Sequence, residues 1–400
     1  MRLNKEQLNK VKDKYGVDEL YSWSKINCFL TSPYEYFLNY ILHKKEDNAN
    51  CAYAPLGSII HQVIEDYYNG KIKYENMIEQ FKDGWITIID IADLKFDRND
   101  DDKNNNIKEK YKEDLFHFFN NHNVIKNKII IEQFIATKIG DYVLQGYADA
   151  IYKDKEGNYN IIDWKSSSEY KGKTLEEHSG QLCVYAIGLM QLGVPVEKIK
   201  ICFNFLKYCT VEVTQKNGKK KERSIERCKL GESLCSNAKM WLKEYGYNEN
   251  EIDEYIKEMI DTNSIDNLPL EIKNKFIISD RYVYINFTKK LIEKWTNLII
   301  ATIKDIKDRE NDYKETYNEK CFWDTEDSVK KNSFYFSTLC GYSRNLLKPY
   351  NEYCNKIEEK NNSIFEGVGS CFKNEKESTN NNYKKSNKDE IDLSWLDDII

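Results

Sequence analysis

The sequence predicts an α/β fold class, in which helices accompany a β-sheet. Three apolar or alternating segments, at residues 128–138, 142–152 and 159–165, have the pattern of strands, and the short polar links between them suit hairpin turns. Residues 57–68 and 179–192 instead repeat apolar residues at helical spacing. A chain of 400 residues is long enough to bury a large core in one or two domains.

The segment before the strands is predicted to be mainly helical. Ser32 followed by Pro33 is typical of a helix start, since the serine caps free N–H groups and the proline suits the first turn. The polar run at residues 97–106 predicts a loop. Helices are expected at residues 5–14, 57–68, 74–96 and 107–120.

The second half of the chain is predicted to add one strand, a hairpin and long helices. Residues 320–353 are aromatic-rich without a regular pattern, and from residue 356 the chain becomes polar and repetitive. We therefore expect one domain over residues 1–355 and a disordered tail over residues 356–400. The strand is expected at 198–207, the hairpin at 209–227 and the helices at 231–263 and 287–318.

Composition and charge narrow the class of protein. No apolar run approaches the roughly 20 residues of a membrane-spanning helix, and the N-terminus lacks a secretory pattern, so we expect a cytoplasmic protein with no membrane partner. Eleven cysteines include no CxxC pair, which argues against a zinc knuckle and favours free thiols. A net charge of −6 argues against a generic nucleic-acid binder.

A basic island nevertheless interrupts this acidic chain. Residues 198–229 hold ten lysines or arginines and three glutamates. Consecutive lysines at a hairpin tip suit contact with a polyanionic backbone without sequence readout, although such charge runs are more often a solvated loop. The candidate DNA-contacting residues are Lys219, Lys220, Lys221, Arg223 and Arg227.

Two adjacent predicted strands carry one aspartate each, Asp149 and Asp163. Lys165 follows two residues after the second aspartate and therefore lies on the same face of its strand. Two acids and a lysine beside apolar strand residues are costly without a purpose. A divalent cation held by the acids, with a water activated beside the lysine, would supply that purpose.

Four motifs follow one another along the chain: Gly57-Ser58-Ile59-Ile60-His61, Gly146-Tyr147-Ala148-Asp149, Asp163-Trp164-Lys165 and Gln181-Leu182-Cys183-Val184-Tyr185. This order resembles the RecB-like branch of the PD-(D/E)xK nuclease superfamily, in a phage-type form. The resemblance covers about residues 22–210 and leaves 230–355 as a helical addition. It implies a restriction-endonuclease-like core with a mixed β-sheet flanked by helices.

The resemblance also implies hydrolysis of DNA phosphodiesters with Mg²⁺ or Mn²⁺ as cofactor. Because nearby anions favour the charged form of Lys165, its expected role is to place the attacking water and stabilise negative charge. The implied metal ligands are His61, Asp149, Asp163 and the backbone carbonyl of Trp164. The implied catalytic or site-lining residues are Lys165, Asp163, Asp149, Gln181 and Tyr185.

Each of these residues has an ordinary structural alternative. Asp149 could be an acid at a strand edge, and Asp163 with Lys165 could be an exposed ion pair of little energetic worth. A lone histidine on a helix is more often structural than a metal ligand. Gln181 and Tyr185 could be polar and core positions of an amphipathic helix.

Two further acids and the cysteines complete the candidates. Glu65 shares a helix face with His61 and could support it as a hydrogen-bond partner, while Glu132 could be a site acid or a solvent-facing one. Many RecB-like nucleases hold an iron–sulfur cluster on four cysteines. Here Ser32 stands at the position of the entry cysteine and no CxxC pair follows Cys340, so we expect no cluster.

Together these patterns predict a metal-dependent DNA nuclease, acting as an exonuclease or on single-stranded or flapped ends, in recombination, repair or DNA turnover. The alternative is a non-catalytic DNA-binding or scaffold protein of the replication or recombination machinery on the same fold. Residues 395–400 combine acids with large apolar side chains. They resemble a docking tip for a replication or recombination protein, or form a merely disordered end.

Overall fold

The computed structural model describes residues 2–343 and 348–364, and elements are numbered within that part of the chain. The strands are β1 (Leu20–Ser22), β2 (Ile129–Ile139), β3 (Tyr142–Lys153), β4 (Tyr159–Lys165), β5 (Ile199–Thr214), β6 (Lys220–Glu226) and β7 (Phe276–Ile285). The α-helices are α1 (Lys5–Tyr15), α2 (Trp23–Thr31), α3 (Pro33–Tyr36), α4 (Tyr53–Tyr68), α5 (Met77–Trp85), α6 (Asp101–Asn121), α7 (Lys173–Glu177), α8 (Gly180–Gln191), α9 (Leu230–Glu244), α10 (Glu249–Asp261), α11 (Leu270–Lys273), α12 (Lys289–Thr316), α13 (Glu326–Lys331) and α14 (Lys348–Ile364).

The chain divides into two compact units. One unit holds the chain up to Trp23 together with residues 50–300, and the other holds residues 24–49 together with the described residues from 301 onward. The division differs from the predicted helical addition over residues 230–355. The chain between 230 and 300 belongs to the sheet-bearing unit, because β7 and the helices before it pack on the second half of β5, from Cys209 onward.

The strands form one mixed sheet. Strand β3 pairs antiparallel with β2 and with β4, and its beginning pairs in parallel with β1. Strand β4 runs parallel to β5, which in turn pairs antiparallel with β6 and β7. The predicted α/β class, with a mixed sheet flanked by helices, is confirmed.

Helices α4, α5 and α6 cover one face of the sheet. Their apolar side chains cluster with Ile162 and Trp164 of β4 and with Leu206 of β5. Because side chains alternate along a strand, Asp163 and Lys165 point to the opposite face. The alternation predicted for β4 from the sequence therefore places the acid and the lysine of the third motif together.

The prediction of a polar loop at residues 97–106 is wrong for most of that segment. Helix α6 begins at Asp101, four residues after the start of that segment. The side chain of Asp100 accepts a hydrogen bond from the backbone N–H of Lys103 at 2.9 Å, which is the typical N-cap arrangement. The acids that suggested a loop therefore act as the cap and first turn of a helix.

Two strands, β1 and β7, and a break in a helix were not predicted. Strand β1 has only three residues, and the apolar pattern of the β7 sequence is interrupted by the charged pair Asp280 and Arg281. Asp280 is tolerated in the buried strand because it forms an ion pair with Arg227. The predicted helix over 231–263 divides into α9 and α10 at Gly246, whose φ of +84° favours glycine.

In the unit that contains Ser32, the predicted helix start is confirmed. The Ser32 side chain accepts a hydrogen bond from the N–H of Glu35, with Pro33 in the first turn of α3. Ser32 Oγ also donates to Asp324 Oδ2 at 2.9 Å. Ser32 therefore has a structural hydrogen-bonding role.

Helix α14 extends past residue 356, where the disordered tail was predicted to begin. Tyr350, Cys354 and Ile357 are buried at helical spacing, so a narrow apolar stripe within the polar sequence stabilises the helix. Beyond Ile364 the predicted tail, including the acidic-apolar residues 395–400, lies outside the described residues.

Neither a membrane-spanning helix nor a disulfide occurs in the described part of the chain. None of its helices combines the length and apolarity that crossing a bilayer requires. Ten of the eleven cysteines fall there, all as free thiols, and Cys371 falls outside. Cys183, Cys202 and Cys209 are buried in the sheet-bearing unit as small core residues.

Candidate active site

The predicted acids meet where two strands of the sheet separate. The ladder between β3 and β4 ends at the pair Ala150 and Ile162. Beyond it, Asp149 Oδ2 accepts a hydrogen bond of 3.0 Å from the backbone N–H of Trp164. The Asp149 carboxylate therefore takes the place of a backbone hydrogen-bond partner. It is fixed beside Trp164, which lies between Asp163 and Lys165 at the end of β4.

His61 of α4 reaches the same point from the helical layer. Its Nε2 lies 3.0 Å from the carbonyl oxygen of Trp164, and its Nδ1 lies 3.6 Å from Asp149 Oδ2. A carbonyl oxygen only accepts hydrogen bonds, so Nε2 carries a proton and donates it. Two predicted metal ligands are therefore in direct contact, and a third faces the second ring nitrogen.

Asp163 and Lys165 form a close ion pair on the opposite face of β4. Lys165 Nζ lies 2.6 Å from Asp163 Oδ2, and only 4% of the Asp163 side chain is exposed. Burial lowers the pKa of Lys165, but the carboxylates of Asp163 and Asp149 outweigh it and raise the pKa above the ordinary value. The lysine is therefore protonated and can donate hydrogen bonds to an anion.

Asp149 is held in conditions that disfavour its negative charge. Burial raises the pKa of Asp149 to about 7, His61 and Lys165 oppose this shift, and Asp163 adds to it. Asp149 and Asp163 are both buried, and the two carboxylates share one lysine as their permanently charged neighbour. An additional cation at this point would stabilise the ionised form of both.

Gln181 and Tyr185 face the site from α8. Gln181 Nε2 donates to the hydroxyl of Tyr185 at 3.2 Å, and burial raises the pKa of that hydroxyl, so it remains protonated. Gly146 makes the approach of this ring possible, because a Cβ there would lie 2.6 Å from the Tyr185 oxygen. The glycine of the second motif is therefore required by the tyrosine of the fourth.

Glu132 lies in β2 where the β2–β3 ladder is interrupted. Ile131 and Gln133 pair with Ala150 and Ala148, whereas Glu132, opposite Asp149, has a left-handed φ of +52° and leaves the ladder. Non-glycine residues rarely adopt this conformation, and in irregular strands it often accompanies a site. Asp149 is consequently paired in neither the β2–β3 ladder nor the β3–β4 ladder.

A polar cavity of about 620 Å³ adjoins His61 on the side of β2. Its walls include Glu65 and Glu132, together with Arg2, whose guanidinium lies 3.8 Å from the Glu132 carboxylate. Burial and then Glu132 raise the pKa of Glu65. Glu65 and Glu132 are thus near the site, but within the described residues neither forms a hydrogen bond or ion pair with Asp149 or Asp163.

The donor set suits a hard divalent cation, although its members form two separate groups. His61 contacts the Trp164 carbonyl and faces Asp149, whereas Asp163 is paired with Lys165. Within residues 2–343 and 348–364, no three His, Cys, Asp or Glu side chains form a closed metal-binding group. The available donors are two carboxylates, a carbonyl and an imidazole, which match Mg²⁺ or Mn²⁺.

The basic hairpin divides into an exposed tip and a structural base. Lys219, Lys220 and Lys221 are exposed, and Lys220 lies 2.6 Å from Glu212 across the hairpin. Arg223 donates to the Ser233 carbonyl at 2.7 Å. The predicted DNA contacts can therefore apply only to the lysines of the tip and, in part, to Arg223.

The prediction that Arg227 contacts DNA is wrong, because its side chain is 1% exposed. Its guanidinium lies 2.6 Å from Asp280 Oδ1 and donates to the Tyr208 carbonyl at 3.0 Å. Asp280 also bonds His122 Nδ1 at 2.7 Å. A buried arginine needs such partners, and the sequence does not distinguish it from its exposed neighbours.

Other features of the site were not predicted. The requirement for Gly146 follows only from the approach of Tyr185, and the conformation of Glu132 has no sequence signal. An aromatic pair, Tyr170 and His178, follows the third motif and stacks with ring centroids 4.1 Å apart. Both residues are visible in the sequence, but only the folded loop brings the rings together.

One family model matches most of this chain. The family model of the PD-(D/E)XK nuclease superfamily matches residues 21–322. The crystal structure of SSO0001 is similar over 61% of this chain and 87% of its own, at 17% sequence identity and a TM-score of 0.16. No curated protein matches significantly. Because the family model spans more than half of its length, this chain belongs to the PD-(D/E)XK nuclease superfamily.

Proposed function

We propose that this protein is a metal-dependent DNA nuclease of the RecB-like branch, in a phage-type form. The observation that carries the proposal is the convergence of Asp149, Asp163, Lys165 and His61 at the end of β4, in a chain of this superfamily. Buried acids beside a protonated lysine in a shared site are a pattern that functional sites favour.

In this proposal, His61, Asp149, Asp163 and the Trp164 carbonyl hold Mg²⁺ or Mn²⁺. The bound ion would neutralise the phosphate and lower the pKa of a water molecule. Lys165 donates hydrogen bonds to the attacking oxygen and to the charge that develops on the phosphate. Gln181 and Tyr185 donate from α8 and orient the scissile strand, with Gly146 holding the tyrosine in reach.

DNA ends are the proposed substrates, in recombination, repair or DNA turnover. The exposed lysines 219–221 would bind phosphates without reading bases, which suits a nuclease of low sequence specificity. A protein of the replication or recombination machinery remains the proposed partner of the C-terminal residues. An iron–sulfur cluster is not part of the proposal.

The test is an end-labelled panel of single-stranded, duplex, flapped and circular DNA, incubated with Mg²⁺, with Mn²⁺ and with a chelator. We expect cleavage with either metal and none with the chelator. Asp163→Asn and Lys165→Met should each lower the rate by roughly 10²–10⁴-fold. Linear substrates should be cleaved faster than circular ones.

Matched controls are available at exposed turns of the same sheet. Asp141→Asn in the β2–β3 turn and Lys155→Met in the β3–β4 turn make the same chemical changes at exposed side chains, and both should retain full activity. Unchanged cleavage by the Asp163 and Lys165 variants would refute the catalytic assignment. Tight DNA binding without any cleavage by the wild type would support the scaffold alternative.

A further inference from the structure

An aromatic stack stands in the segment that joins β4 to α8. The rings of Tyr170 and His178 are 4.1 Å apart between centroids, with an angle of 14° between their planes. This is a close parallel stack, tighter than the edge-to-face contacts that are common among aromatic residues in the same sheet. Two rings eight positions apart in a loop are brought together only because the segment folds back on itself.

The inner ring of the stack is anchored on the sheet. Tyr170 meets Phe203 edge to face at 5.5 Å and Phe205 at 5.2 Å between ring centroids. Its hydroxyl also receives a hydrogen bond of 3.2 Å from Ser167 Oγ. Both phenylalanines are buried, so the position of Tyr170 is fixed by the core rather than by solvent-exposed contacts.

The stack lies on the same sheet face as the proposed catalytic residues. In the parallel ladder of β4 and β5, Asp163 is paired with Phe203, and Lys165 is paired with Phe205. Paired residues on neighbouring strands project to the same side. Lys165 Nζ in addition lies 5.9 Å from the Phe203 ring centroid. The phenylalanines that anchor Tyr170 are therefore immediate neighbours of the acid and the lysine.

The outer ring, that of His178, is exposed. The segment is not basic, because Lys171 and Lys173 stand against Glu169, Glu176 and Glu177. Lys173 moreover lies 3.5 Å from Glu177, and Glu176 is paired with Lys294. The distinctive property of this surface is a flat, anchored aromatic face rather than a positive potential.

We propose that Tyr170 and His178 form a stacking platform for one nucleobase of single-stranded DNA, next to the phosphate that is cleaved. The proposal rests on the proposed nuclease function and specifies its substrate. A base that is stacked and paired within a duplex has both faces covered, whereas an unpaired base can place one face on the platform. The platform would therefore favour single-stranded ends or flaps over continuous duplex.

The direct test measures stacking without cleavage. Asp163→Asn protein is mixed with single-stranded oligonucleotides that carry 2-aminopurine at successive positions, since stacking on a ring quenches this base. We expect quenching at one position near the cleavage point. His178→Leu in the same background should remove the quenching and weaken binding by about tenfold, whereas His178→Phe, which keeps a ring, should retain both. The loss should persist at high salt, because stacking is not screened.

Cleavage assays separate this proposal from the proposed function. With the catalytic residues intact, His178→Leu should lower kcat/KM for single-stranded relative to duplex DNA by about tenfold, and His178→Phe should preserve the ratio. A wild type that cleaves no DNA would refute the nuclease assignment, while the quenching result would still decide the platform. An unchanged ratio in an active His178→Leu enzyme, or quenching unaffected by that change, would refute the platform alone.

Discussion

The Nε2 atom of His61 lies 3.0 Å from the carbonyl oxygen of Trp164, so that a helix and a strand far apart in sequence meet at one backbone atom. The contact directs the other ring nitrogen towards Asp149 at 3.6 Å. The His61 imidazole thus lies beside two other residues of the proposed metal site, Trp164 and Asp149. The consequence is a choice of metal that depends on a nitrogen ligand.

Replacement of this nitrogen ligand should change metal preference. In His61→Asp the ligand becomes an oxygen, and oxygen-only sites favour Mg²⁺ relative to softer ions. We expect Mn²⁺ affinity to fall by roughly 10–100-fold with a smaller change for Mg²⁺. Calorimetric titration of both ions into wild type and variant measures this. His43→Asn, at an exposed position, is the control, and an equal loss for both ions would argue against nitrogen ligation.

Gly146→Ala should destabilise the protein and disturb α8. The added Cβ would lie 2.6 Å from the Tyr185 oxygen, so the ring must move. Overpacking of this kind costs about 1–3 kcal/mol, measurable as a lower free energy of unfolding in urea. Gly57→Ala in α4 meets nothing within 4 Å and is the matched control. Equal stability of the two variants would contradict the close approach of Tyr185.

The tip and the base of the basic hairpin should respond differently to mutation. Lys219→Gln combined with Lys221→Gln should reduce the salt dependence of DNA binding by about one unit of slope per lysine and leave stability unchanged. Arg227→Met should instead lower the free energy of unfolding by about 3–5 kcal/mol, because Asp280 would be left buried without its cation. Lys155→Gln is the control for binding. A salt slope unaffected by the double change would exclude the tip from the interface.

His117 should contribute stability that is lost as pH falls from 6.5 to about 4. Burial and then Arg227 lower the pKa of His117 from 6.5 to about 4. Between these values the unfolded chain binds a proton at this histidine that the folded chain does not, so the contribution of His117 to the free energy of unfolding rises with pH. Buried acids with a raised pKa, such as Asp149, contribute with the opposite sign, so the contribution of His117 is measured as the wild-type slope minus the His117→Gln slope in urea unfolding at several pH values. This difference should be positive and His43→Asn should leave the slope unchanged; a slope unaffected by His117→Gln would contradict the buried, neutral histidine.

The sequence predicted the part of the fold that depends on local pattern. Asp163 and Lys165 share a face because strands alternate, and Ser32 caps a helix because its side chain acts within three residues. Arg227 was wrongly predicted to contact DNA because its partner Asp280 is 53 positions away. Asp280 also lies in a strand whose charged residues hide the apolar pattern of a strand. Contacts between distant segments, unlike periodicity, leave no local signal.

The candidate site shows the same limit. The motif order identified His61, Asp149, Asp163 and Lys165, all of which the fold brings to the end of β4. The left-handed Glu132 could not be predicted, because its conformation is imposed by the interrupted ladder rather than by residue preference.

The most direct test of the account is anomalous diffraction from a crystal soaked in MnCl₂. We expect one strong manganese peak bounded by the carboxylates of Asp149 and Asp163, with His61 and the Trp164 carbonyl completing its protein ligands, and no such peak in Asp163→Asn crystals. A wild-type map with those carboxylates turned apart and no manganese between them would contradict it.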